Sequence, residues 1–184
     1  MANRKVVLKM VLSLDGFATS PDGTHDWMFE FFGDDGGEWS LRALQEAGTH
    51  AMGRRSYEIM GPHWQASEGP IATSMNEKSK AVFSKTLQSA DWGPAEVFGD
   101  VSAAVGDLKA RDDDGTILVH GGPTLAKSLT RLGLVDEYQL TFVPIAIGAG
   151  LSPFADLDAH LKLDLVDEQR FASGARGLVL VPRS

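Results

Sequence analysis

The feature that most constrains this chain is an apolar stretch that ends in two glycines. Residues 116–119 (Thr-Ile-Leu-Val) are followed by His120, Gly121-Gly122 and an amphipathic pattern over residues 124–132. Two residues without Cβ let the backbone approach a ligand closely, and the N–H groups at a helix start favour an anion. The stretch therefore predicts a strand-to-helix turn. Taken alone, it leaves open both a phosphate site and a tight turn without a ligand.

A second segment combines a probable strand end with positive charge. Residues 49–52 lead into Gly53, Arg54, Arg55 and Ser56, where a helix begins. The helix dipole favours acidic side chains at this end, so two arginines suggest that an anion binds there and offsets their charge. A solvated basic turn explains the segment equally well when it is considered alone.

A third segment has the same character. Residues 80–83 are apolar and lead into Ser84, Lys85 and Thr86. The carboxyl edge of the sheet is the usual ligand position in open α/β folds. Three segments of this kind together indicate a ligand with several phosphates that lies across such an edge.

Composition limits the class of protein. The chain has 184 residues, of which 43% are hydrophobic, and this suits one well-filled core, so we expect a single domain over residues 1–184. The formal charge of −8 argues against nucleic acid or an anionic membrane as the main partner. There is no cysteine, which excludes disulfides and thiolate metal sites. The histidines lack metal-ligand spacing, so no metal is assigned. An apolar signal core or membrane span is not evident, and we expect a soluble cytoplasmic protein.

The order of the predicted elements indicates the fold class. A near-continuous apolar run over residues 6–12 predicts a central strand, and strands then alternate with helices as far as residue 132. After Asp136 the pattern changes, because residues 138–147, 161–170 and 177–181 resemble strands without helices between them. We therefore predict an α/β sandwich whose mostly parallel sheet finishes with antiparallel strands.

A long segment without clear periodicity separates the first strand from a helix predicted over residues 38–47. It covers residues 15–37 and is rich in Gly, Asp and aromatic residues. Long ordered loops in compact domains are often functional lids. A small satellite core explains the aromatic residues equally well, and both interpretations stay open for Trp27, Phe29, Phe31 and Phe32.

Taken together, these motifs resemble a known family. The three segments above, with Ser13-Leu14-Asp15-Gly16-Phe17-Ala18 and a late strand and turn that includes Pro144, resemble the RibD C-terminal reductase-like domain of the dihydrofolate reductase-like family over roughly residues 5–181. The resemblance implies a three-layer α/β/α sandwich and hydride transfer from NADPH to a pteridine-like, pyrimidine-like or other small heterocycle. A nucleotide-binding protein without turnover on the same scaffold is the alternative.

The resemblance also implies roles for individual residues. The backbone at Met10 and Val11 would meet the nicotinamide, Asp15 and Phe17 would begin the loop over it, and His120 would lie beside the ring. Arg54 and Lys85 would face the 2′-phosphate, and Arg55 and Ser56 the pyrophosphate. The resemblance further implies cofactor contacts from Ser84 and Thr86, a pyrophosphate cradle formed by Gly121, Gly122, Pro123, Thr124 and Leu125, and a cis peptide between the two glycines.

The candidate catalytic residues are Asp15, Glu38 and His120. Folate-reducing members of the family carry an acidic residue in the first turn of the helix after the long loop, and that position falls here at Gly37, one residue before Glu38. RibD-like reductases often have an acidic residue where this chain has His120. The substrate is therefore left open, with dipole stabilisation as the alternative role for Glu38 and a core position as the alternative for His120.

The late strands also suggest self-association. Residues 138–145 and 178–180 are apolar enough that one face left in water would form a large exposed patch. Domains of the family that the chain resembles commonly pair in this region. We therefore expect a homodimer.

Overall fold

A computed structural model describes residues 4–112 and 114–183 of the chain. Its strands and helices alternate through most of the chain. The strands are β1 (Val6–Ser13), β2 (Ala47–Gly53), β3 (Ser79–Phe83), β4 (Ala95–Phe98), β5 (Thr116–His120), β6 (Glu137–Val143), β7 (Leu163–Arg170) and β8 (Arg176–Pro182). The helices are α1 (Asp34–Glu46), α2 (Arg54–Gln65), α3 (Pro70–Glu77), α4 (Val101–Ala110) and α5 (Pro123–Arg131), with a 3₁₀ helix at Asp26–Phe31.

The strands form one eight-stranded sheet in the order β4-β3-β2-β5-β1-β6-β8-β7. Strands β1 to β6 pair in parallel, whereas β8 pairs antiparallel with both β6 and β7. Since parallel strands run the same way, the carboxyl ends of β1 to β6 lie at one edge. The predicted mixed sheet with antiparallel C-terminal strands is confirmed.

Helices cover both faces of the sheet. On one face, Val105 and Leu108 of α4 and Leu129 of α5 pack with Leu8 and Val119 of the central strands. On the other face, α1, α2 and α3 pack against β1, β2, β3 and β5 through a second cluster that includes Leu44, Tyr57, Met75, Val7 and Leu118. Strands buried on both faces explain the near-continuous apolar runs in the sequence. The three-layer α/β/α sandwich is therefore confirmed.

A third apolar cluster accounts for part of the aromatic loop. Trp27 and Phe31 pack against Trp39 of α1 and Phe171, which follows β7. Phe29 and Phe32 remain about half exposed, at 51% and 46%. The satellite-core interpretation thus holds for two of the four aromatic residues, and the other two lie on the surface of the loop.

Two element boundaries differ from the predictions. The helix predicted to start at Glu38 starts at Asp34, because Asp34 and Asp35 lie in its first turn, where the helix dipole favours negative charge. The strand predicted to reach residue 147 ends at Val143, since Pro144 has no backbone N–H to donate to a sheet. Helix α3 was not predicted from the sequence. Within the described residues, the model contains no helix both long and apolar enough to cross a membrane.

Candidate functional site

The three sequence segments meet at the carboxyl edge of the sheet. Arg54, at the start of α2, donates from Nη1 to Thr86 Oγ1 at 2.8 Å, which joins the turns after β2 and β3. Ser56 Oγ lies only 3.2 Å from the place that a Cβ on Gly122 would occupy, so the starts of α2 and α5 are also in contact. The structure therefore brings the three segments into one continuous surface.

The paired glycines form the turn between β5 and α5. Gly121 and Gly122 both have positive φ, +45° and +66°, a region that residues with a Cβ rarely adopt. The cis peptide expected between them is wrong, because no described peptide bond is cis. The two glycines form the turn through their positive φ angles, and the peptide bond between them is trans. Pro123 then occupies the first turn of α5, where its missing N–H costs nothing.

Cationic and hydroxyl groups surround this turn. Arg54 is exposed and also donates from Nε to Glu58 at 2.7 Å, while Lys85 is exposed on the neighbouring turn. Ser84 is used internally, since its Oγ accepts hydrogen bonds from the backbone of Thr86 and Leu87 at 3.2 and 2.9 Å. The cations therefore remain accessible to an anion, whereas Ser84 shapes the turn that presents Lys85 and Thr86.

The long loop lies against the second arginine. A Cβ on Gly23 would lie 2.7 Å from Arg55 Nη1, so the guanidinium occupies the space that this glycine leaves. The Asp22 carboxylate accepts from Thr24, and these bonds, with a smaller contribution from Arg55, lower its pKa. Arg55 thus connects the start of α2 to the loop that follows β1.

Asp15 holds two loops together at the same edge. Its carboxylate accepts from Ser13 Oγ at 2.6 Å and from the backbone N–H groups of Ile147 and Gly148 at 3.2 and 2.7 Å. The hydrogen bond from Ser13, followed by that from Gly148, lowers the pKa of Asp15. Such a carboxylate stays ionised and is a poor proton donor. The geometry therefore favours a role in ordering the loops.

The remaining positions expected at the nicotinamide differ in exposure. The side chain of Met10 is buried among the α4 and α5 contacts, so its backbone alone is available to a ligand. Val11 points to the opposite face and is partly exposed. Phe17 is held next to the end of β1 because its N–H donates to Ser13 Oγ at 3.0 Å. In the expected pyrophosphate cradle, Thr124 is exposed and Leu125 is buried.

A row of polar side chains crosses the middle of the sheet on the α1 face. Lys9 of β1 pairs in register with His120 of β5 and with Gln139 of β6. Burial lowers the pKa of Lys9 to about 8. Lys9 was not among the residues predicted from the sequence, although a lysine inside the otherwise apolar run of a central strand is a usable signal.

His120 connects this row to a buried histidine. Its Nε2 lies 2.8 Å from Nδ1 of His50, which is fully buried in β2. Burial, followed by the charges of His50 and Lys9, lowers the pKa of His120 well below its usual value. His120 is therefore a neutral imidazole at neutral pH, beside a lysine that titrates near pH 8.

Glu38 stands apart from these groups. It is exposed in the second turn of α1, and no hydrogen bond or ion pair joins its side chain to another residue in the described parts of the chain. The acidic residues of the first turn are Asp34 and Asp35. Asp35 is engaged in a structural contact, because its Oδ2 accepts from the backbone of Ala172 at 2.8 Å.

The residues present fit a dinucleotide with phosphate groups. Exposed guanidinium and ammonium groups at Arg54 and Lys85 match anionic oxygens, and Gly121 with Gly122 leaves backbone free for a close approach at the start of α5. The neutral His120 is the last residue of β5, and Lys9 pairs with it from the middle of β1.

Comparison with known proteins places the chain among proteins of this architecture. It is 28% identical over 184 residues to the uncharacterized protein YyaP of Bacillus subtilis (strain 168). The alignment covers 97% of this chain and 95% of that protein. A putative riboflavin biosynthesis protein from Shewanella sp. PV-4 superposes with a TM-score of 0.78 at 19% identity, over 98% of this chain and 99% of that one.

Dihydrofolate reductase from Enterococcus faecalis, solved with NADP(H), has the same fold. Its TM-score is 0.65 at 13% identity, over 98% of this chain and 97% of that one. The dihydrofolate reductase-like fold predicted from the sequence is thus confirmed. The model of the RibD C-terminal domain matches residues 4–176, nearly the whole chain. This chain belongs to the RibD C-terminal domain family.

Proposed function

We propose that the protein is an NADPH-dependent reductase that transfers hydride to a small heterocyclic substrate, pteridine-like or pyrimidine-like. The observation that carries the proposal is the junction of the three strand-end segments, marked by the 2.8 Å hydrogen bond between Arg54 and Thr86 and by the approach of Ser56 to Gly122. Family membership and the likeness to a dihydrofolate reductase solved with NADP(H) support it.

The cofactor is assigned to the carboxyl edge of the sheet. Arg54 and Lys85 would bind the 2′-phosphate, while Arg55, Ser56 and the turn from Gly121 to Leu125 would bind the pyrophosphate. The backbone of Met10 and Val11 would lie at the nicotinamide end. When bound, NADPH supplies the hydride, and the protein orients it against the substrate.

The substrate is assigned to the α1 side of the polar row. Hydride addition leaves negative charge on a heteroatom of the substrate, and a nearby cation stabilises that charge or supplies a proton. Lys9 is the positively charged group of the row at neutral pH, since its pKa is about 8. His120 remains a candidate catalytic residue, acting as a neutral hydrogen-bonding group, and Asp15 becomes a positioning residue for the loops.

A nucleotide-binding protein without turnover is the second candidate. Two observations favour it: Asp15 is occupied by three hydrogen bonds, and the Glu38 side chain makes no hydrogen bond or ion pair with the polar row among the described residues. Asp15 is therefore not positioned as the acid that folate-reducing relatives use. Lys9 is proposed as the proton donor if the protein is a reductase.

The test between the two functions is a single-turnover experiment. Protein in excess over NADPH is mixed with a panel of pteridine and pyrimidine heterocycles, and loss of the reduced nicotinamide absorbance is followed. We expect oxidation with at least one class of heterocycle. Retained binding of NADPH without oxidation by any member of the panel would favour the second function, and absence of NADPH binding would contradict both.

We further propose that the chain forms a homodimer through the late strands. Strand β7 is the edge of the sheet and exposes Leu165 and Val166 at 55% and 62%. Exposed apolar side chains on an edge strand form a surface that proteins usually cover. We expect sedimentation at micromolar concentration to give twice the chain mass and Val166→Lys to shift the protein toward monomer. A wild-type protein that sediments as a monomer would contradict this prediction.

A further inference from the structure

The hydrogen bonds of His50, the buried histidine of β2, determine which ring nitrogen of its neighbour His120 carries a proton. His50 Nε2 lies 3.1 Å from the carbonyl oxygen of Ser74 in α3 and 3.4 Å from the hydroxyl of the same residue. A carbonyl oxygen can only accept a hydrogen bond. His50 must therefore carry its proton on Nε2.

The serine hydroxyl leads to the same assignment. Ser74 Oγ donates its single proton to the carbonyl of Leu44 at 3.0 Å, so it can offer only lone pairs to the imidazole. Lys78 Nζ also donates to that carbonyl, at 2.6 Å. Both oxygens that face His50 Nε2 are thus acceptors.

The charge state of the pair follows from its surroundings. The ammonium groups near His50 belong to Lys78 and Lys80, and Lys9 lies beside His120. Burial, followed by the charges of Lys78 and Lys80, lowers the pKa of His50 to about 4. Each ring is then neutral and carries one proton. With that proton on Nε2, the Nδ1 of His50 is an acceptor.

The contact between His50 and His120 determines which nitrogen of His120 carries its proton. Its Nε2 is 2.8 Å from His50 Nδ1, so Nε2 must donate and Nδ1 must be unprotonated. No described residue hydrogen-bonds to His120 Nδ1. We propose that His50 is a positioning residue that holds His120 as the Nε2–H tautomer, with Nδ1 presented to the substrate as a hydrogen-bond acceptor.

This inference rests on the proposed function and deepens it, because it specifies which groups of the substrate face His120 and Lys9. An acceptor at His120 Nδ1 beside the donor at Lys9 complements a ring N–H next to a carbonyl oxygen. Lactam edges of this kind occur in oxidised pyrimidines and pteridines. A heterocycle methylated at that nitrogen lacks the required donor.

The test measures the tautomer in the ligand-free protein. Long-range proton–nitrogen NMR correlation distinguishes protonated from unprotonated imidazole nitrogens, and a His120→Gln variant assigns the signals. We expect His120 with protonated Nε2 and unprotonated Nδ1 in the wild type. In His50→Asn, the amide oxygen can still accept, and this tautomer is expected to persist. In His50→Leu, which has no acceptor, the Nδ1–H form should become populated.

The outcomes that overturn the proposal are distinct. A wild-type His120 with protonated Nδ1 contradicts it, as does a His50→Leu variant that keeps the wild-type tautomer or an Asn variant that behaves like Leu. The wild-type spectrum alone tests the assignment if the Leu variant does not fold. Because no turnover is measured, a protein without reductase activity would overturn the proposed function while leaving this result intact.

Discussion

NADPH is expected to bind at least about tenfold more tightly than NADH, and replacement of Arg54 by glutamine is expected to remove most of this difference. The two cofactors differ by a 2′-phosphate that carries a charge of roughly −1.5 to −2 near neutral pH. The structure places Arg54 and Lys85 on adjacent turns, both exposed, with Arg54 joined to Thr86 at 2.8 Å. Each charge-assisted hydrogen bond to the phosphate contributes about 1.5 to 3 kcal/mol.

The substitution should leave the fold intact. Arg54 makes one exposed ion pair, with Glu58, and such pairs contribute at most about 1 kcal/mol. Arg131→Gln is the matched control. It removes the same positive charge at the C-terminal end of α5, where Arg131 pairs with Asp158. Fluorescence titrations at fixed salt should show NADH affinity little changed in Arg54→Gln and both affinities unchanged in Arg131→Gln. Equal affinities for the two cofactors in the wild-type protein would contradict the assignment.

The meeting of the three strand-end segments at one edge could be predicted from the sequence because their signals are local. Each signal is a short run of adjacent residues, such as a glycine pair after an apolar run or arginines at a helix start. These residues stay adjacent in the fold. Parallel strand order then brings such turns to one edge, and the contacts between Arg54 and Thr86 and between Ser56 and Gly122 follow from it. The peptide geometry between the glycines came from family resemblance alone, and it was wrong.

The polar row could not be predicted in the same way because it depends on register between distant strands. His50 and His120 are 70 residues apart and meet only when β2 and β5 pair. Lys9 stands out within its apolar run, but the run does not show which residues of β5 and β6 lie beside it. The position of Asp15 is also non-local, since its carboxylate binds backbone groups that follow β6. The family resemblance suggested a catalytic carboxylate there, and the structure shows a loop contact.

Turnover is expected to depend on the protonation of Lys9. The ammonium has a pKa of about 8, so it is present below that pH and lost above it. If its charge supports hydride transfer, kcat/KM should be level below pH 8 and fall about tenfold for each further pH unit. His120 cannot produce this limb, because its pKa lies far below the neutral range. A profile that stays level from pH 7 to 10 would exclude Lys9 as the required cation.

Lys9→Met should lower kcat by about 10²-fold or more with NADPH affinity little changed, because the role proposed for Lys9 is on the substrate and not on the cofactor phosphates. Loss of folding should not explain this effect. A lysine whose pKa falls from 10.5 to about 8 on folding releases a proton between those values, so the unfolded chain binds more protons and stability rises with pH across that window. Below that pH window, the charge of Lys9 opposes folding, and methionine removes that cost.

Lys5→Met is the matched control, since Lys5 precedes the same strand and pairs with Glu137 at 3.4 Å. Stopped-flow oxidation of NADPH with an active heterocycle, beside thermal unfolding of each variant, measures both quantities. Equal kcat values in wild type and Lys9→Met would show that the buried ammonium does not take part in the reaction.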